Sequence, residues 1–121
     1  MSLEKDLARA RALLSFKRVG FEYEELPADP APEVLGALAG FQIRSSDPDA
    51  QALVYVFEEW PDKDEVLKHL PAFQTDDPNV HVRSVINGPL FFVGMARVDA
   101  DDRRGKRRVN AMLSAFAGDE R

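Results

Sequence analysis

The chain has 121 residues, 45% of them hydrophobic and 31% charged, with a net charge of −5 and no cysteine. That is one domain's length, enough to bury a core without covalent staples, and too apolar and too mixed in charge for a disordered chain. The lack of cysteine excludes disulfides, thiolate nucleophiles and cysteine-ligated zinc, the negative balance argues against bulk affinity for nucleic acid, and no apolar run approaches the roughly 20 residues that a membrane helix needs.

The N-terminus is charged and amphipathic, without the apolar core of a signal peptide. The chain as written reads as cytoplasmic, and as extracytoplasmic if a signal or anchor has been removed. Leu3 to Arg18 is predicted to be a helix: Leu3, Leu7, Ala10 and Leu14 fall at helical spacing, acids stand in its first turn and Lys17 and Arg18 in its last, and Gly20 is its stop. Phe21 to Leu26 alternates as a short strand with Phe21 and Tyr23 inward. Pro27, Pro30 and Pro32 then interrupt regular structure, with one helical turn expected within Glu33 to Leu38. Phe41 to Ser45 is a second strand, and Ser46-Asp47-Pro48-Asp49 a turn.

Leu53 to Trp60 is the strongest strand signal. Leu53, Tyr55 and Phe57 share one face and Val54 and Val56 the other, which predicts a central strand covered at least partly on both sides. Asp62 to Leu70 is a short helix with an apolar stripe of Val66, Leu67 and Leu70. Val80 to Val98 reads as a hairpin. Proline lacks the N–H that would close an Asn-Gly turn, so Gly88-Pro89 is the expected central pair. That register sets Ile86 against Phe91, Ser84 against Val93 and Val82 against Met95, and leaves Val85, Leu90 and Phe92 on the opposite face with His81 and Arg83. Arg103 to Ala117 is the last helix, with Val109, Met112, Leu113 and Phe116 as its stripe and Gly118 as its stop. The expectation is a single α+β domain over residues 1–121, in the order αβββαββα. It has one layer of mostly antiparallel sheet, about five strands, helices on one face and one crossover connection.

No catalytic apparatus is recognisable. His69 and His81 lack a partner at metal-ligand spacing, no serine sits in a glycine-flanked elbow, and no glycine-rich phosphate loop is present. Asp99, Asp101 and Asp102 fail the calcium-loop pattern at Arg103 and Asn110, so they read as acids charging a helix start. No metal and no cofactor are expected. Arg103, Arg104, Lys106, Arg107 and Arg108 put five cations into six residues. They suggest either an anion or acidic-partner site or, the favoured reading, a solvated and self-paired surface. Paired carboxylates, Glu22 and Glu24 or Glu58 and Glu59, could do acid–base work if one were buried, but alternation puts Glu22 and Glu24 outward as ordinary charges. Trp60 reads as a core-edge side chain or a partner anchor.

The run Leu53 to Phe57, the short helix after it, the hairpin ending Phe91-Phe92-Val93-Gly94 and the terminal helix together resemble small uncharacterised bacterial α+β domains, some of which occur as lipoprotein or extracytoplasmic modules. The resemblance covers the last two thirds of the chain, implies the fold alone and carries no functional residue; a lipobox cysteine is missing.

Three functional expectations follow. The first is a non-enzymatic binding or assembly module, a homodimer or a complex with another protein, that uses an apolar sheet face of Val54, Val56, Val85, Leu90 and Phe92 together with Trp60. The second is a small-molecule binder with the same face as its pocket wall and His81, Arg83 and Tyr55 as its polar groups. The third is an enzyme relying on Glu58, His69 or His81.

Overall fold

The computed structural model describes residues 3–46, 49–99 and 101–118. The elements are α1 (Leu3–Leu13), α2 (Phe16–Val19), β1 (Glu24–Pro27), a 3₁₀ turn (Pro32–Leu35), β2 (Ala39–Ser45), β3 (Ala50–Val56), α3 (Lys63–Lys68), a second 3₁₀ turn (Pro71–Phe73), β4 (Val80–Asn87), β5 (Leu90–Arg97) and α4 (Arg104–Ala117). The class is α+β and the order follows the sequence pattern, with two differences at the start: the first strand covers Glu24–Pro27 where the pattern predicts Phe21 to Leu26, and the first helix is divided. The predicted first helix is broken at Ser15, whose ψ of 153° is extended. The carbonyls that the break releases are taken up elsewhere. Tyr23 Oη donates to Leu14 O at 2.6 Å and Arg18 Nε to Leu13 O at 3.0 Å, so the break leaves neither of them orphaned.

The five strands form one sheet in the order β1-β2-β3-β5-β4, with every neighbouring pair antiparallel. β3 is central, as its two-sided apolar pattern requires, although it begins and ends earlier than the sequence suggests. β3 and β4 both run antiparallel to β5 and therefore parallel to each other. The segment joining them, which carries α3, is the crossover. Asp62 starts α3 by accepting from the Asp64 and Glu65 N–H groups at 2.9 and 3.4 Å. The β4–β5 hairpin has the predicted register, Ile86 to Phe91, Ser84 to Val93 and Val82 to Met95. Gly88 takes φ = 62° beside the negative φ that the Pro89 ring imposes.

Alternation along the strands divides the core in two. One face carries Ala52, Val54, Val56, Leu90 and Phe92, packed with Ala10, Leu14, Val19, Val109, Met112 and Phe116 from α1, α2 and α4 and their flanks. The rings of Phe92 and Phe116 meet at 5.4 Å. The other face carries Leu53, Tyr55, Phe91 and Val93 under Val66, Leu70 and Phe73. The expectation of helices on one face thus holds for α1, α2 and α4, while α3 and the 3₁₀ turn after it lie on the other.

Candidate functional site

The structure moves the predicted apolar contact face into the core. Val54, Val56, Leu90 and Phe92 are each fully buried, and Val85 is half-buried against the same cluster. The two longest helices cover this face, so it offers neither a contact surface nor a pocket wall. The pocket reading fails on a second count. His81 and Arg83 pair with Ala96 and Gly94 on the α4 side of the sheet, whereas Tyr55 belongs to the α3 side. There Tyr55 Oη donates to Pro30 O at 2.6 Å, and burial, with the Asp29 charge second, pushes its pKa up to about 12.

β4 closes one side of the sheet. The Val98 N–H donates to Asn79 O at 2.7 Å. In an antiparallel ladder that phase directs the backbone groups of residues 81, 83, 85 and 87 toward β5 and those of 80, 82, 84 and 86 away from it. Of the outward groups, the Val80 N–H is satisfied by Asp77 O at 3.1 Å. Those of Val82, Ser84 and Ile86 meet no backbone partner among the described residues. Side chains on the α4 side hold the strand in place. His81 Nε2 donates to Asn110 Oδ1 at 2.8 Å, Asn87 Nδ2 to Phe116 O at 2.8 Å, and Arg9 Nη2 to Asn87 Oδ1 at 2.6 Å. Arg83 is exposed, and the strand has no lysine, aspartate or glutamate. His69 ends α3 and is exposed, so the two histidines do not share a site.

Trp60 is 75% exposed beyond the end of β3, which removes the core-edge reading. Leu38 and Val34 are also exposed, and Glu58, Glu59 and Asp62 flank the indole in sequence. The exposed Glu22 and Glu24 are likewise surface charges.

The basic run opens α4 but does not converge. Arg104 makes a two-pronged bond to Asp102, Nε to Oδ1 at 3.0 Å and Nη2 to Oδ2 at 2.9 Å. With the Arg104 N–H also donating, the Asp102 carboxyl is held down at about 2. Arg108 has other partners, lying 5.0 Å from the Phe21 ring centre and donating to Ser46 O at 3.2 Å. Arg103 and Arg107 are exposed and Lys106 is half-buried. Gly105 interrupts the run because the helix rests on the sheet there. A Cβ at this position would come within 3.0 Å of Ala96 Cβ and 3.1 Å of Asp49 O. The separate destinations of Arg104 and Arg108 support a self-paired surface over a single anion site.

Among the described residues no group of three or more His, Asp or Glu side chains is placed to hold a metal ion, and no helix is long and apolar enough to cross a membrane. Two features escape the sequence reading. One is the outward phase of β4, set by which of two alternating hydrogen-bond rows faces β5. The other is a groove bounded by Arg44 and Arg97, residues 53 positions apart in sequence. Only the parity of Arg44 with Gln51 and Met95 across the strands could have signalled it. Comparison with protein-family models, with curated proteins and with solved structures returns no match to this chain.

Proposed function

We propose that the protein is a binding and assembly module that pairs with a second copy of itself, β4 to β4, joining two five-stranded sheets into one. The observation that carries this reading is the edge itself: eight residues without proline or carboxylate, with outward backbone groups at Val82, Ser84 and Ile86. Exposed edges of this kind are normally shortened, charged, bulged or covered. The edge is also self-complementary. A two-fold axis through Ser84 sets Val82 opposite the partner's Ile86 and Arg83 opposite the partner's Val85, so no charge meets its own copy. Val82 and Ile86 are half-buried members of the α3-side cluster, and pairing would extend that apolar strip across the joint.

The test is sedimentation velocity over a range of protein concentrations, with Ser84→Pro as the variant. The Ser84 N–H does not serve the ladder to β5, so proline is tolerated there as on other edge strands, while it removes a donor at the centre of the pairing. The expected result is a dimer for the natural chain and at least about tenfold weaker association for Ser84→Pro, at an unchanged far-UV circular dichroism spectrum. A natural chain that stays monomeric at every concentration sinks the reading.

A second reading rests on Trp60. An indole exposed to this extent and flanked by acids suits contact with a basic protein surface. The same sedimentation experiment on Trp60→Ala separates the two, because self-association through β4 is indifferent to that substitution.

A further inference from the structure

α3 and the 3₁₀ turn after it roof only one end of their face of the sheet. Toward the other end, one pair further along the strands, Gln51, Met95 and Val80 floor an open groove of about 300 Å³. This is the small end of the range for ligand pockets, about 300–1,000 Å³. Arg44 on β2 and Arg97 on β5 bound it from two sides, and Asp49 stands at its rim.

The charge in this groove is not consumed internally. Arg44 Nη2 donates to the neutral amide oxygen of Gln51 at 3.3 Å. Glu24 lies across from Arg44 in the strand register, yet among the described residues neither Arg44 nor Arg97 forms an ion pair. Two guanidinium groups against one aspartate leave one positive charge uncompensated within the lining. A guanidinium is a rigid planar fork that matches carboxylate and phosphate oxygens two at a time. Met95, half-buried between them, is a polarizable and adaptable apolar surface.

We propose that this groove binds a small organic anion, its carboxylate or phosphate taken by Arg97 and Arg44 and its apolar body laid on Met95 and Val80. The site is independent of the β4 pairing, since it lies on a face of the sheet and not on the outward backbone of its edge.

Titration of the isotopically labelled full chain with benzoate, phenyl phosphate and inorganic phosphate, followed by amide chemical shifts, tests it. Benzoate or phenyl phosphate is expected to shift Gln51, Met95 and Arg97 saturably with a dissociation constant of about 1 mM or tighter. Inorganic phosphate, without an apolar body, binds about tenfold more weakly. Which of the two aromatic anions saturates first identifies the preferred acid group, and either order supports the site. Arg97→Gln weakens binding about tenfold or more, whereas Arg83→Gln, on the opposite face, leaves it unchanged. Both arginines are exposed, so loss of fold does not confuse the comparison. Failure of both aromatic anions to saturate by about 10 mM, or binding by the Arg97→Gln and Arg44→Gln variants as tight as that of the natural chain, overturns the proposal.

Discussion

The two edges of this sheet are finished in opposite ways. β1 is four residues long, carries Glu24 and Glu25 and ends on Pro27. Arg11 reaches it with a salt bridge to Glu25 at 3.0 Å while lying over the Phe41 ring at 5.3 Å. Shortness, charge and proline are the standard protections of an edge strand. β4 is twice as long, has no proline and carries a single exposed charge, Arg83. Its side-chain bonds, from His81, Asn87 and Arg9, all serve to hold the strand against α4 and α1. The lesson is that the chain spends its interactions on placing β4 rather than on blocking it. A strand held rigidly with its outer backbone free is a preorganised partner for another strand.

That contrast can be broken or sharpened from either side. The largest stability effect is expected next to β1. Gly40, on β2, lies beneath Tyr55, and a Cβ there would come within 2.7 Å of Tyr55 Cδ1 and 2.9 Å of Val54 O. Gly40→Ala should cost about 1–3 kcal/mol in denaturant unfolding while leaving the oligomeric state at saturating concentration unchanged. A change of oligomeric state without loss of stability would place the association on the wrong edge.

Asn87→Ala is expected to cost about 1–2 kcal/mol, because the Phe116 carbonyl and the Arg9 guanidinium both lose a partner. It should also weaken self-association, since the turn end of β4 is released from α4. Unchanged association in this variant would show that positioning of β4 contributes nothing.

Tyr55→Phe removes the bond to Pro30 and should cost about 1 kcal/mol near neutral pH. Its pH dependence has a definite sign. The folded pKa of Tyr55, about 12, lies above the ordinary value of 10.0. The neutral phenol is thus favoured in the fold. Its contribution is complete below pH 10 and declines as the pH rises from there toward 12, where the unfolded chain ionises first. Stability measured across that window should fall more steeply for the natural chain than for Tyr55→Phe, and parallel curves would contradict the buried phenol.

Much of this architecture is legible in the chain. Period-two alternation identifies β2 through β5, Asp62 and Gly118 mark helix ends, and the Gly88-Pro89 pair fixes the hairpin register to the residue. The candidate surfaces were less legible. Val54, Val56, Leu90 and Phe92 announce a second apolar face, but an apolar face looks the same in sequence whether the chain's own helices or another molecule covers it. Arg103 to Arg108 invite an anion site because they are adjacent in sequence, yet even Arg104 and Arg108, one turn apart on the helix, end on separate partners, Asp102 and Ser46.

By itself, then, although the break at Ser15 and the bounds of β1 and β3 differ from the pattern, the sequence determined the order and kind of the main elements and which residues stand opposite one another in the hairpin. These depend on nearest-neighbour sterics, caps and alternation. Only the tertiary structure decided that α1 and α4 close one face, that β4 stands at an edge, and that Arg44 and Arg97 bound one groove. Each of those outcomes depends on where the crossover between β3 and β4 carries the chain, and strand order is a property of packing that no local pattern encodes.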